Sequence, residues 1–198
     1  MGSIQNRYNQ SRRGSHGHVI DLRVAGRSSN RLSRRAILNT VPGYFLDTSA
    51  FAKLYHQEVG SYYMESLLAL RDSTAVVSRL ALVEIESVFA IKVRTGEIGA
   101  AGHEFCRRRL RADISQRRTR IGPPIEERHY LSARHLLVKH APQMALRTLD
   151  ALQLSVALDL KHAGVVSVMV TADQRLCEVA EICGFPTINP TAPGLVLS

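Results

Sequence analysis

The sequence predicts an α/β protein with a largely parallel central sheet. From Tyr44 onward, short apolar runs alternate with longer stretches of helical spacing, which is typical of such proteins. Two of the apolar runs are followed directly by an aspartate, Asp47 and Asp173, and ligands of parallel sheets gather beyond the carboxyl ends of strands. With 45% hydrophobic residues among 198, the chain can bury a substantial core.

The first half of this region predicts two strands and four helices. Tyr44 to Leu46 is strand-like, Ser78 is placed to cap a long helix, and Gly96 stops that helix. In chain order we expect a strand at 44–46, a helix through 55, a helix around 62–70, a strand at 75–77, a helix through 93 and an arginine-rich helix at 100–114.

The second half follows a clear break at Gly122-Pro123-Pro124. A helix is predicted over 129–140, and a stripe of apolar residues at helical spacing predicts the next helix, which Gly164 ends: Leu149, Leu152, Val156 and Leu160. Val165 to Val170 is the most strand-like run, a helix is expected over 174–182, and 186–189 offers a last short strand.

The charge of the chain divides it into a tail and a domain. Of the net charge of +9, most belongs to residues 1–43, which hold eight arginines and one acid, Asp21. This segment is polar and rich in glycine and serine, so we expect it to be a disordered basic tail. Over-extended translation is a further hypothesis, because Val41 is a conventional position for a GTG start. The domain is predicted over 44–198.

Cysteine content and hydropathy exclude two classes of protein. Cys106, Cys177 and Cys183 are too few for a disulfide scaffold and lack the paired spacing of a zinc site. No apolar run approaches the roughly 20 residues of a membrane helix. We therefore expect a soluble cytoplasmic protein with reduced cysteines and no membrane partner.

Four carboxylates predict a metal site. Asp47 and Asp173 follow strands, whereas Glu84 and Asp150 lie in or at the start of apolar helices, where a charge is unfavourable without a compensating cation. Hard oxygen ligands without a histidine or cysteine cluster favour Mg²⁺ or Mn²⁺. Such ions typically act on phosphates.

Four segments in this order resemble the PIN-domain family, and specifically the VapC-like toxins of bacterial toxin–antitoxin pairs. Each segment alone is a weak signal, but the order and spacing of all four are specific. The matching segments are Phe45-Leu46-Asp47-Thr48-Ser49-Ala50, Ser78-Arg79-Leu80-Ala81-Leu82-Val83-Glu84, Leu149-Asp150-Ala151-Leu152-Gln153-Leu154 and Val170-Thr171-Ala172-Asp173-Gln174-Arg175-Leu176. The resemblance implies a three-layer α/β/α fold and a Mg²⁺- or Mn²⁺-dependent endoribonuclease.

The resemblance also implies a role for each acid. Asp47 and Asp150 would be the principal metal ligands, and Glu84 and Asp173 would be ligands or water-mediated contacts. Ser49 and Thr171 would hydrogen-bond these carboxylates or a bound water. The family further implies an RNA substrate, a homodimer and a VapB-like antitoxin.

Other interpretations of the same residues remain open. Asp150 and Asp173 both stand near helix starts and could be ordinary N-caps. Glu86 has a helical environment much like that of Glu84, so periodicity does not choose between them. The densest basic stretch could follow an RNA backbone, contact an antitoxin or form a solvated helix face. Its candidate RNA-binding residues are Arg107, Arg108, Arg111, Arg117 and Arg118.

Two other functions compete with the toxin hypothesis. A housekeeping PIN nuclease for RNA maturation would use the same four acids. A catalytically silent PIN-like module for RNA binding or scaffolding would have no reason to keep four costly carboxylates, which argues against it.

Overall fold

The structure, a computed structural model, describes residues 43–70 and 73–192. The predicted basic tail and the hypothesis of a start at Val41 fall outside this range, apart from Gly43. Gly43 is the first residue of the first strand, one residue before the strand predicted at 44–46.

The predicted α/β fold with a mainly parallel sheet is confirmed. In the order β3-β2-β1-β4-β5, every neighbouring pair of strands is parallel. The strands are β1 (Gly43–Leu46), β2 (Thr74–Val77), β3 (Thr119–Ile121), β4 (Val168–Val170) and β5 (Thr187–Ile188). The helices are α1 (Thr48–Phe51), α2 (Ser61–Leu68), α3 (Arg79–Arg94), α4 (Ala100–Ser115), α5 (Glu127–Met144), α6 (Thr148–His162) and α7 (Gln174–Ile182), with a 3-10 turn at Ala52–Leu54.

Alternation along the strands builds two hydrophobic cores, one on each face of the sheet. Tyr44 and Leu46 of β1 pack into a core with Phe51 of α1 and Phe89 of α3. Phe45, between them, points to the opposite face and packs into the core that α5, α6 and α7 cover. Successive side chains of a strand point to opposite faces, so β1 is buried on both sides and the fold has three layers.

The strand order places a switch point between β1 and β4. The chain proceeds from β1 through β2 to β3 on one side, and then crosses to β4 on the other side of β1. Crossovers on opposite faces leave a crevice beyond the carboxyl ends of the two strands, where ligands of open parallel sheets bind. Asp47 follows β1 and Asp173 lies three residues after β4 ends, so both face this crevice.

β3 was not predicted from the sequence, and several predicted boundaries of helices and strands differ from the observed ones. Thr119–Ile121 pairs in parallel with β2, although the arginines around it gave the segment no strand-like pattern. The predicted strand at 165–170 is shorter, with only Val168–Val170 in the sheet. The helix predicted over 129–140 runs from Glu127 to Met144 and contains Pro142 near its end.

No helix within the described ranges is long and apolar enough to cross a membrane.

Gly43 provides a test of how tightly β1 is packed. A Cβ at this position would lie 2.2 Å from the carbonyl oxygen of Val165 and 3.1 Å from Cα of Val166. We expect Gly43→Ala to lower the free energy of unfolding by about 1–3 kcal/mol, as overpacking typically does. Denaturant unfolding measures the change. Gly102→Ala is the matched control, because its Cβ would meet Ile98 at an ordinary 3.5 Å. Equal stability of both variants would contradict the packing described for β1.

Candidate active site

Asp47 is held at the switch point by three hydrogen bonds to one of its carboxylate oxygens. The residue is 6% exposed and caps α1. Its Oδ2 accepts from the Ser49 amide at 3.1 Å, from Ser49 Oγ at 2.7 Å and from Thr171 Oγ1 at 3.1 Å. No described residue donates a hydrogen bond to Oδ1. One oxygen is therefore anchored, and the other keeps its lone pairs for a ligand.

Ser49 and Thr171 also join Asp47 to the turn after β4. The Ala172 amide donates to Ser49 Oγ at 2.9 Å, and the Asp173 amide donates to Thr171 Oγ1 at 3.1 Å. The Asp47 amide itself donates to the Val170 carbonyl at 2.9 Å. These bonds fix the two loops that leave β1 and β4 relative to each other.

Asp173 is both a helix cap and a carboxylate of the crevice. Its Oδ1 accepts from the amides of Arg175 and Leu176 at 2.9 and 3.3 Å, which satisfies the first turn of α7. The side chain is 24% exposed, and Arg175 approaches it only to 3.8 Å. Capping uses Oδ1, and no described residue donates to Oδ2.

Glu84 of α3 is oriented by a buried polar network. Its Oε2 accepts from Thr48 Oγ1 at 2.9 Å and from Gln153 Nε2 at 2.6 Å. Gln153, which is 1% exposed, also donates to Thr48 Oγ1 at 2.9 Å and accepts from Ser78 Oγ at 2.6 Å. Burial raises the pKa of Glu84, and the nearby charge of Asp47 adds to this, while the two hydrogen bonds oppose it. Glu84 thus stands close enough to Asp47 for their charges to interact.

The structure separates Glu84 from Glu86. Glu86 forms an ion pair with Arg107 of α4 at 3.1 Å, where both side chains are exposed to solvent. Glu84 instead meets Thr48, beside Asp47. Of the two glutamates, Glu84 is the one that belongs to the carboxylate group at the switch point.

Asp150 is the acid whose ionisation is most disfavoured at this site. Burial is the main cause, and the charges of Asp47 and Asp173 add to it, so that the pKa of Asp150 is raised to about 6. Asp150 is not the N-cap of α6, contrary to one interpretation of the sequence. The cap is Arg147, and Asp150 lies inside the first turn. Its side chain accepts a backbone hydrogen bond from Arg147, which lowers the pKa but does not offset the effect of burial.

The carboxylates lack an obvious counter-charge. Among the described residues, no lysine or arginine forms an ion pair with Asp47, Glu84 or Asp150, although ion pairs occur elsewhere in the same range. Within that range, no three or more acidic, histidine or cysteine side chains converge into a compact metal cage. Mg²⁺ usually keeps several of its waters and is bound through one or two carboxylates, so an open, all-oxygen arrangement fits this ion.

Sequence reasoning overlooked two of the residues that hold this site together. Thr48 and Gln153 both hydrogen-bond Glu84, whereas the sequence predicted only Ser49 and Thr171 as partners of the acids. The available signal was the position of Gln153, three residues after Asp150 on the otherwise apolar face of α6. A polar residue on such a face needs partners in the core.

The five arginines predicted to contact RNA differ in their neighbours. Arg107 pairs with Glu86, and the guanidinium of Arg108 stacks over the Phe105 ring at 5.7 Å. Arg117 and Arg118 border a cavity at the start of β2 and β3, and the structure assigns no partner to Arg111 within the described range. RNA contact by these residues stays a prediction.

Comparison with known proteins agrees with the architecture. The profile of the PIN domain matches residues 44–182. Mycobacterium tuberculosis VapC20, a toxin that cleaves the sarcin-ricin loop, is similar in structure with a TM-score of 0.54 and 19% identity, over 74% of this chain and 99% of that one. Pyrobaculum aerophilum PAE2754 has a TM-score of 0.44 and 20% identity, over 70% of this chain and 84% of that one. No curated protein sequence matches the chain.

Asp150 yields a prediction about stability and pH. Burial raises the pKa of Asp150 from its ordinary value of 3.8 to about 6 in the folded protein, so ionisation destabilises the fold increasingly as the pH rises between these values. We expect Asp150→Asn to be more stable than the wild type at pH 7.5 in EDTA, and to lose that advantage near pH 4. After allowance for solvent screening, the gain is on the order of 1 kcal/mol. Thermal unfolding at both pH values measures it. A variant that is less stable than the wild type at pH 7.5 would refute the repulsion.

Proposed function

The chain belongs to the PIN domain family, whose members are generally nucleases, and we propose that it is a metal-dependent endoribonuclease. The observation that carries this proposal is the group of carboxylates at the switch point. Asp47, Glu84, Asp150 and Asp173 come from four different parts of the chain. Burial raises the pKa of Glu84 and of Asp150, and the charge of Asp47 adds to both shifts, with that of Asp173 adding to the second. Asp47 and Asp173 are N-caps of helices, whereas Glu84 and Asp150 are not.

Mg²⁺ or Mn²⁺ is the proposed cofactor. Asp47, Asp150 and Asp173 are its proposed ligands, one or two of them directly and the rest through its waters, with Glu84 as a further ligand or a contact through water. Such an ion activates water as a nucleophile and stabilises charge that develops on the phosphate and the leaving oxygen. The free Oδ1 of Asp47 and Oδ2 of Asp173 are the oxygens available to it, because their partners on the same carboxylates already accept hydrogen bonds.

The surrounding side chains position these acids. Ser49 and Thr171 hold Asp47 from two different loops, so that its free oxygen has little freedom to rotate. Thr48 and Gln153 do the same for Glu84. Preorganised ligands of this kind avoid the entropy loss that flexible carboxylates would suffer when the ion and substrate bind.

The biological role we propose is that of a toxin in a toxin–antitoxin pair. The support is the resemblance of the four acidic segments to VapC-like toxins, together with a fold shared with VapC20. A VapB-like antitoxin, a homodimer and a cytoplasmic location follow from this role and are part of the proposal. A structured ribosomal RNA hairpin such as the sarcin-ricin loop is a reasonable first substrate to test, alongside total RNA.

RNA cleavage by the full chain tests the proposed activity. We expect cutting with Mg²⁺ or Mn²⁺, none with EDTA, and a loss of at least about 10³-fold in the Asp47→Asn plus Asp150→Asn variant. Gel analysis of end-labelled RNA measures the cleavage. Glu86→Gln is the control, because it also neutralises a carboxylate, but one that belongs to the exposed ion pair with Arg107 and not to the crevice.

Each outcome separates the proposal from its rivals. Cutting that the double variant retains would show that the activity lies elsewhere. Absence of cutting, together with absence of metal binding in calorimetry, would favour a catalytically silent RNA-binding module. Cutting without any growth arrest on induced expression would favour a housekeeping nuclease over a toxin.

Gln153 gives an independent test of the proposed positioning network. Gln153→Leu removes both hydrogen bonds to Glu84 and Thr48 but keeps most of the volume. We expect the metal concentration for half-maximal cleavage to rise about 10- to 100-fold, as is typical when a partner of a metal ligand is lost. Activity should recover at high Mn²⁺. Loss of activity that no metal concentration restores would assign Gln153 a different role.

A further inference from the structure

A second candidate site lies at the other end of the sheet from the carboxylates. A cavity of about 490 Å³ is bordered by Thr74 and Thr119, the first residues of β2 and β3. Asp47 and Asp173 instead follow the carboxyl ends of β1 and β4. A four-residue strand spans roughly 13 Å, so the cavity and the carboxylates are separated by the length of the sheet. The cavity is therefore a separate site, and its existence does not depend on the function proposed for the acids.

The cavity is cationic. Arg109, Arg117, Arg118 and Arg120 line it, against the two carboxylates Glu65 and Asp113. Arg109 approaches Glu65 at 3.7 Å and Arg118 approaches Asp113 at 3.6 Å, distances too long for good hydrogen bonds. Within the described residues, Arg117 and Arg120 form no ion pair. Among the described residues that line the cavity, four arginines therefore stand against two carboxylates, and Arg117 and Arg120 keep guanidinium donors without a described partner.

Arg117 stands at a backbone position that normally favours glycine. Helix α4 ends in a Schellman motif, in which the Arg118 amide donates to the Asp113 carbonyl at 2.9 Å and the Arg117 amide donates to the Ile114 carbonyl at 3.1 Å. Arg117 occupies the left-handed residue of this motif, with φ of 57°. Glycine adopts that conformation without steric conflict, whereas an arginine is strained there. Folding alone does not explain the arginine, but a role for its side chain does.

The shape and lining of the cavity indicate the chemistry of its occupant. Its volume falls within the range of small-molecule sites, about 300–1,000 Å³. Leu54 and Leu68 supply apolar wall, while the arginines supply forked donors that match phosphate oxygens. An occupant with one phosphate group and one flat or apolar group would satisfy both kinds of wall.

We propose that this cavity binds a small phosphorylated molecule of nucleoside monophosphate size, at a site distinct from the carboxylates. Arg117 and Arg120 are the side chains assigned to the phosphate, because neither is neutralised by a described neighbour. The apolar wall receives the rest of the molecule. The site thus gives the protein a ligand that is not its proposed RNA substrate.

Calorimetric titration of the full chain in EDTA tests the proposal, with adenosine 5′-monophosphate, adenosine and inorganic phosphate as probes. EDTA keeps metal-bridged binding at the carboxylates out of the measurement, so the result does not depend on the nuclease. We expect one nucleotide per chain and much weaker binding of adenosine. Inorganic phosphate that binds as tightly as the nucleotide would overturn the proposed size of the ligand, because the apolar wall would then add nothing to binding.

Two double variants with equal loss of charge locate the site. Arg117→Gly plus Arg120→Gln should raise the Kd for the nucleotide at least about tenfold. Arg94→Gln plus Arg134→Gln removes two exposed arginines outside the cavity and should leave the Kd within about twofold. Because Arg117→Gly relieves the left-handed backbone, the first variant should melt no lower than the second, which separates binding from folding.

Several results would overturn the proposal. These are nucleotide binding that is equal in the two double variants, adenosine that binds as tightly as its monophosphate, and no binding of any probe. Binding of a short single-stranded RNA that depends on Arg117 and Arg120, without binding of the mononucleotide, would also overturn it and assign the cavity to RNA.

Discussion

The hydrogen bonds to Asp47 Oδ2 are the constraint on which the rest of the structure depends. They tie the start of α1 to the end of β4 through Ser49 and Thr171, in the interior of the molecule. A buried carboxylate is stable only when hydrogen bonds compensate its loss of solvation. Three donors to Oδ2 provide this compensation and leave Oδ1 free for a ligand. The same bonds that stabilise the crossing of the chain therefore also aim a charge into the crevice.

This arrangement stores electrostatic strain in the fold. The loops hold Asp47 and Asp173 in place, and α3 and α6 bring Glu84 and Asp150 toward them. Burial is the main cause of the raised pKa values of Glu84 and Asp150, and the charges of the neighbouring carboxylates add to it. Elsewhere the protein avoids such strain. Glu58, for example, meets both Lys53 and Lys92 at 2.8 and 2.9 Å, and the two hydrogen bonds lower its pKa. In contrast to Glu58, the ionised acids of the crevice lower the stability of the fold.

Much of the fold could be predicted from sequence, because buried strands and amphipathic helices leave strong periodic signals. β1 and β2 were found at nearly their observed bounds. β3 was missed because Arg118 and Arg120 surround it, and its strand conformation depends on pairing with β2 rather than on its own composition. The burial of an edge strand depends on its neighbours in the folded sheet, and the sequence of the strand itself does not identify them.

Prediction of the site had a similar limit. The positions of the acids came from motif order, but the choice between Glu84 and Glu86 needed the rotation of α3 about its axis. That rotation follows from the packing of Ile85 and Phe89 into the core. Gln153 and Thr48 were missed for the same reason, because a network that joins residues 105 positions apart is invisible until the chain is folded. Likewise, the arginines of α4 and its cap read as one basic run, although the fold distributes them between ion pairs and a cavity.

The two edges of the sheet limit how this protein can meet another chain. β3 has three residues and β5 has two, so neither edge presents enough unpaired backbone for a partner to add a strand. Large exposed apolar side chains lie instead on helices, among them Tyr62 on α2, Val83 on α3 and Val138 on α5. Assembly through the described residues would therefore rely on side-chain contacts between helices. Surface shape, rather than backbone pairing, would determine its specificity.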